Sequence, residues 1–234
     1  MLDLSPAALA GLSAAVFLAG AVDALAGGGG LITLPAYLAV GLDPALVLGT
    51  NKLSACLGTV VSTVRYQRAT RFSVRAFAPA ILASLVGSWL GARLAMLIDP
   101  SWLRPLLLCV LPVIAWLVLT RAGFGAVDES GRHAPRDLAR RGAAVSFPVG
   151  LYDGFFGPGT GTFFALGFTR WCGYDLLNAT ARAKILNLVS NIAALAAFAW
   201  AGRLNWSLGL SMAALSFAGN WVGSHLGVSH GAKA

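Results

Sequence analysis

The chain has 234 residues, 57% of them hydrophobic and 11% charged, with a formal net charge of +8 and a mean hydropathy of +0.75. A soluble domain carries about 25% charged residues, so this composition excludes an ordinary soluble globular protein. Apolar runs recur along the whole length, which makes the chain polytopic rather than singly anchored.

In chain order, the first apolar runs fall at 6–26, 30–41, 43–66, 75–98 and 102–120. The first is not expected to be a cleavable signal peptide. It lacks a basic leading segment, and its apolar part exceeds the roughly 7–15 residues of such a core. A polar linker at 121–140 holds Asp128, Glu129, His133 and Asp137 among arginines, and further runs follow at 141–156, 158–171, 174–201 and 206–228. About 20 residues are needed to span a bilayer as a helix. The 30–41 and 158–171 pieces are too short, and are predicted to be half-helices, either re-entrant or the second part of a broken helix. Gly41-Leu42-Asp43-Pro44 and Cys172-Gly173-Tyr174-Asp175 supply breaks, with Asp43 and Asp175 as N-caps of the helices that follow, and Asp99-Pro100 separates two more runs.

The positive charge is not spread as a nucleic-acid-binding surface would spread it. Arg65, Arg68, Arg71 and Arg75 lie between two apolar runs, and Arg121, Arg132, Arg136, Arg140 and Arg141 lie between two others. Short arginine-rich loops between spans mark the cytoplasmic face, where anionic lipid attracts them. Cys56, Cys109 and Cys172 stand singly in apolar surroundings, without a CxxC pair, and are expected to be small core residues.

An internal repeat is visible in the sequence itself. Asp23, Gly27 and Gly29 match Asp153, Gly157 and Gly159 at an offset of 130. After a two-residue insertion the offset becomes 132: Gly41, Asp43, Lys52 and Arg71 meet Gly173, Asp175, Lys184 and Arg203. Gly87, Trp89, Gly91 and Leu94 then meet Gly219, Trp221, Gly223 and Leu226. The expected architecture is an all-α polytopic membrane protein. Residues 1–120 form a first repeat of about four spans plus a half-helix, 121–140 a cytoplasmic linker, and 141–234 a second repeat of about three spans plus a half-helix. Lys233 falls opposite Ser101, so the second repeat is expected to lack the counterpart of the 102–120 helix. Span parity leaves open whether the repeats are parallel or inverted; the unequal arginine content near Arg71 and Arg203 leans toward inversion.

Each half carries an acid in an apolar run, then a glycine cluster, then a lysine in another apolar run. Ionisable residues deep in spans are rare and usually functional, which singles out Asp23, Asp153, Lys52 and Lys184. The lysines can neutralise an anionic substrate or pair with the aspartates. The aspartates can carry a coupling proton, since desolvation disfavours a charged carboxyl. Two buried Asp–Lys pairs that merely hold the halves together would give the same pattern. A glycine break at membrane depth must be buried in protein or line a wet cavity. Where it precedes a short helix, the free N–H groups bind anions readily. Gly27, Gly28, Gly29, Gly30, Thr33, Gly157, Gly159, Thr160, Gly161 and Thr162 fit that description, with tight helix packing as the alternative. For Gly87, Gly91, Gly219 and Gly223, spaced four apart within each half, packing is the expectation. Asn51 stands beside Lys52, and Lys184, Asn187 and Asn191 follow at i, i+3 and i+7, placing a polar face inside an apolar helix. Arg182 lies on another face and is expected to anchor at the interface.

No enzyme centre, metal site or cofactor is indicated. The three histidines, His133, His225 and His230, make no HExxH or metal spacing, and no Gly-Lys-Ser/Thr follows the glycines.

The segments Gly27-Gly-Gly-Gly-Leu-Ile-Thr-Leu-Pro35, Leu48-Gly-Thr-Asn-Lys-Leu53, Tyr152-Asp-Gly-Phe-Phe-Gly-Pro-Gly-Thr-Gly161 and Ala183-Lys-Ile-Leu-Asn-Leu-Val-Ser-Asn191 resemble the sulfite exporter TauE/SafE family of bacterial membrane permeases. The resemblance covers about 10–228. It implies a multi-pass permease of the bacterial inner membrane for small sulfur-containing anions such as sulfite or organosulfonates. The expected function is secondary transport with proton coupling, by alternating access between two halves. A passive anion channel or a non-transporting membrane subunit are the rival readings. A homodimer would cover the surface that a shortened second repeat leaves open.

Overall fold

The computed structural model describes residues 4–120 and 127–231; Arg121 and Lys233 lie outside them. Among these residues the secondary structure is helical: α1 Pro6–Ala26, α2 Gly30–Ala39, α3 Pro44–Thr70, α4 Ala78–Ala95, α5 Pro100–Thr120, α6 Pro135–Phe155, α7 Thr160–Cys172, α8 Leu176–Trp200 and α9 Trp206–Gly231. Four segments, Pro6–Ala26, Pro44–Thr70, Arg75–Ala95 and Leu176–Trp200, are long and apolar enough to cross a membrane. The chain is a helical protein built to lie in a bilayer.

The boundaries follow from local chemistry. Asp43 Oδ1 accepts from the Ala45 N–H at 2.9 Å and Asp175 Oδ1 from the Asn178 N–H at 2.7 Å, so both expected N-caps are formed. Ser5 does the same for α1, with Pro6 in its first turn. Gly27 ends α1 with φ of 73°, its N–H donating to Asp23 O at 2.7 Å. One boundary differs from the sequence expectation. α6 begins at Pro135, inside the expected linker, because proline is preformed for the first helical turn and Asp137 suits its positive end.

α1 lies along α9 and α4 along α6, while α3 and α8 meet at the centre and also pack on α9 and α4 respectively. Close approach in the two outer pairs depends on glycine. A Cβ on Gly87 or Gly91 would overlap the carbonyl oxygens of Phe147 or Leu151 on α6. One on Gly219 or Gly223 would overlap those of Phe17 or Ala21 on α1. These four glycines therefore let helices touch backbone to backbone, as small residues do in membranes. Serine hydroxyls fix α4 to α8: Ser84 Oγ donates to Leu186 O at 3.3 Å and Ser88 Oγ to Ser190 O at 2.6 Å. Large apolar side chains such as Leu18, Leu82, Leu97 and Trp200 point outward, as a lipid-facing surface requires.

Two further expectations are corrected. Arg182 is buried rather than anchored at an interface. Its guanidinium lies 3.7 Å from the Tyr174 ring centroid and 4.2 Å from that of Phe72, and it donates to Asn178 O at 3.0 Å. A delocalised, weakly hydrated cation tolerates such an aromatic sandwich. Cys56 and Cys172 are buried as expected, but Cys109 is exposed on the outer side of α5.

Candidate functional site

α3 and α8 carry the two buried lysines into the centre, while α1 and α6 bring an aspartate to the turn before each chain break. Lys52 Nζ lies 2.9 Å from Asp153 Oδ1, with both side chains 2% exposed. It also donates to Asn191 Oδ1 at 2.9 Å, so α8 contributes an orienting amide to the lysine of α3. Lys184 Nζ lies 3.7 Å from Asp23 Oδ2 and donates to the Asp23 carbonyl oxygen. Each lysine thus meets the aspartate from the other half of the chain. Taking ions out of water costs several kcal/mol each, and only a close counter-charge with added hydrogen bonds offsets it. Both pairs meet that condition, unequally. The Lys52 pair is shorter and sealed, whereas the Asp23 side chain is 16% exposed.

The two glycine breaks touch one another. A Cβ on Gly27 would overlap Gly161 Cα, and one on Gly30 would come 3.1 Å from Pro158 Cα. Thr162 Oγ1 donates to Ala26 O, Thr160 Oγ1 to Gly157 O at 2.6 Å, and Tyr152 OH to Pro158 O at 2.5 Å. The faces of Gly27, Gly30 and Gly161 are accordingly filled by the opposite break. Gly157 serves the lysine site. Its φ of 100° favours glycine, and a Cβ there would stand 3.0 Å from Lys52 Nζ. Gly159 caps α7 in the left-handed region, and a Cβ on Gly28 would meet only side chains.

Beside Asp23 lies a cavity of about 30 Å³ lined by α1, α2, α3 and α9. Its walls are Ala19, Gly20 and Asp23; Gly29, Gly30 and Thr33; Asn51, Ser54 and Ala55; and Ser216 and Asn220. Thr33 Oγ1 donates to Asn51 Oδ1 at 2.5 Å, and the Gly29 N–H leans toward Asp23 Oδ1 at 3.4 Å. Tyr37 OH donates to Ser54 Oγ at 2.9 Å behind this wall.

The structure therefore gathers the expected residues into two places. Asp23, Gly29, Gly30, Thr33 and Asn51 surround the cavity, with Lys184 reaching Asp23. Lys52, Asp153, Asn191 and Gly157 form the sealed cluster. Asn187 is buried on α8, outside the cavity lining. Ser216 and Asn220 are cavity residues that the sequence reading leaves out. Their signal is there: they are polar residues one turn apart in an apolar helix, at the positions that Ser84 and Ser88 occupy in α4.

The description "Sulfite exporter TauE/SafE" belongs to the family profile that matches residues 12–234. A Sinorhizobium protein named "Probable membrane transporter protein ORF9" is 40% identical over 233 residues, covering 100% of this chain and 88% of the relative. "Probable membrane transporter protein YfcA" of Escherichia coli K12 is 39% identical over 230 residues, covering 98% and 84% respectively. A "Probable membrane transporter protein" of Haemophilus influenzae is 36% identical over 226 residues, covering 97% and 86%. No solved structure matches. With nearly the whole chain matched and its buried charges set at paired helix breaks, the protein belongs to the sulfite exporter TauE/SafE family of membrane transporters.

Proposed function

We propose that the chain is a proton-coupled secondary transporter of small sulfur-containing oxyanions, working in the bacterial inner membrane. The carrying observation is the pair of buried Lys–Asp contacts, each joining the two halves of the chain beside a helix break. We read those halves as two repeats that interleave. In support, Gly87 and Gly91 meet Phe147 and Leu151, while Gly219 and Gly223 meet Phe17 and Ala21, at positions related by the same offsets as the sequence repeat.

Charge balance supplies the mechanism. A Lys–Asp pair is neutral, which a low-dielectric interior tolerates. If one anion approaches the lysine while one proton neutralises the aspartate, the site stays neutral and the salt link between halves is released. Anion and proton leaving together restore the link. Rocking of one half against the other then exposes the site to each side in turn. The Gly29 N–H just before α2, which makes only a 3.4 Å contact with Asp23 Oδ1, and the Asn51 side-chain N–H groups would hold the anion; Asp23 would exchange the proton, being the less sealed acid.

The test is uptake of labelled sulfite by proteoliposomes, with and without an imposed proton gradient. Accumulation driven by the gradient is the expected result. Equilibration without accumulation would mark a passive facilitator, and uptake unchanged by both Lys52→Ala and Lys184→Ala would overturn the site assignment.

A further inference from the structure

We infer that the outer groove between α3 and α9 binds the phosphate of an anionic phospholipid, with Arg65 as its principal contact. The inference does not depend on what the chain carries. The two helices run side by side in the same direction. Near their starts the Asn205 N–H donates to Thr50 Oγ1 at 2.9 Å, and toward their ends Arg65 Nη1 donates to Trp221 O at 2.9 Å. Both therefore finish on the arginine-rich side of the chain, where Arg68, Arg71 and Arg75 follow. Trp221 is 52% exposed, and Arg65 lies half-buried against it with its guanidinium 5.4 Å from the ring centroid. One turn on, the His225 ring stacks on that of Trp221, with centroids 6.4 Å apart and planes inclined by 11°. A guanidinium is thus held beside an aromatic pair on the outside of the helices, the arrangement that suits a membrane–water boundary.

Charge decides the occupant. Neither α3, nor α9, nor the segment 71–77 contains an acidic residue. The ion pairs among the described residues are Lys52–Asp153, Arg132–Glu129 and Lys184–Asp23, so Arg65 and the exposed Arg68 have no protein carboxylate. A cation at an apolar surface is stabilised by a nearby anion, and here that anion comes from outside the chain. The planar guanidinium spends one N–H on Trp221 O and keeps the rest of its fork for phosphate oxygens. Leu57, Val60 and Val64 on α3 and Phe217 on α9, all exposed, lead up to that point and offer acyl chains an apolar bed. A phosphate tethered to acyl chains uses both parts, whereas a free phosphate uses only the first. The site belongs to one groove. At the repeat offset of 132 the matching helices are α8 and α4, where Trp89 and Arg93 answer Trp221 and His225 but Ala197, buried, replaces Arg65.

The experiment titrates the purified full chain in neutral detergent with phosphatidylglycerol or with phosphatidylcholine of the same acyl chains, reading thermal stabilisation against lipid fraction. In the wild type phosphatidylglycerol should reach its half-effect at an about fivefold to tenfold lower fraction, the effect of one cation near a membrane surface. Arg65→Gln should remove that preference. Arg93→Gln, an equal loss of charge at the matching place on α4, should keep it. Inorganic phosphate without lipid should leave the unfolding midpoint unchanged. If Arg65→Gln does not fold, the wild type decides: a photoactivatable phosphatidylglycerol should label the peptides that hold Val64 and Trp221. Four results overturn the inference: no preference in the wild type, equal losses in the two variants, labelling confined to other helices, or stabilisation by phosphate alone, which would mark a small-anion site. Sulfite uptake in proteoliposomes tests the transport reading separately, so the two fail independently.

Discussion

Lys52 Nζ stands 2.9 Å from Asp153 Oδ1 with both side chains sealed, yet Asp153 Oδ2 has no hydrogen-bond partner among the described residues. The lysine is therefore the principal compensation for a buried carboxylate. Removing it by Lys52→Ala should lower stability by about 3–5 kcal/mol, since an uncompensated charge remains inside. Adding Asp153→Ala should recover part of that loss. Thermal unfolding of the single and double variants in one detergent checks it; a double variant less stable than Lys52→Ala would show that the contact does not govern the site.

The two acids should respond differently to neutralisation. Asp153→Asn removes a 2.9 Å counter-charge from a sealed site and leaves Lys52 only the Asn191 amide oxygen, whereas Asp23→Asn removes a longer 3.7 Å contact to a partly exposed carboxylate and leaves Lys184 its bond to the backbone carbonyl at position 23. We expect the larger fall in melting temperature for Asp153→Asn. Gradient-driven accumulation should be lost in Asp23→Asn even though the protein stays folded. Equal melting temperatures would contradict the asymmetry.

Backbone-to-backbone packing makes a sharp contrast among glycines. Gly91→Ala and Gly223→Ala place a methyl against the carbonyls of Leu151 and Ala21, and each should cost about 1–3 kcal/mol. Gly11 sits in α1, and a methyl added there would meet nothing within 4 Å, so Gly11→Ala should be neutral or stabilising by about 0.5–1 kcal/mol. Unfolding midpoints of the three variants provide the comparison.

Arg182 is held by two aromatic faces and the Asn178 carbonyl. Arg182→Lys keeps the charge but loses the planar stacking, and should destabilise by about 1–2 kcal/mol. A near-neutral result would mean that charge alone suffices there.

The linker docks through Asp128 and Glu129. The Glu129 N–H donates to Gly173 O at 2.7 Å, and Asp128 Oδ1 accepts from Ser130 N–H at 2.8 Å. Partial burial pushes the Asp128 carboxyl up, but hydrogen bonds with Ser130 and Asp175 outweigh it and hold the group below its ordinary 3.8. With the folded value depressed, the contribution is fully present above that ordinary value and is lost as pH falls below it. Hydrogen exchange at Glu129, corrected for its intrinsic pH dependence, should accelerate over that acid range in the wild type and be fast throughout in Asp128→Ala.

Much of the helical framework is legible in the sequence because its causes are local. Asp43-Pro44 and Asp175 cap helices through their nearest amides, and Gly27 ends α1 within one turn. The start of α6 is hidden because Pro135 lies among linker-like charges, where composition masks a good first helical turn. The setting of Arg182 is hidden for a different reason: sequence spacing gives its helix face without revealing that Phe72 and Tyr174 meet there.

By itself the sequence determined a bilayer-embedded helical chain, the short helices after the glycine breaks, and the two aspartates and two lysines set deep in apolar runs, because hydropathy, capping and desolvation act within a few residues. Only the tertiary structure decided which lysine meets which aspartate, which glycines are filled by the opposing break, and that Ser216 and Asn220 of α9 join the cavity beside Asp23. Those outcomes depend on how α1 packs on α9 and α4 on α6, contacts between distant parts of the chain that no local rule specifies.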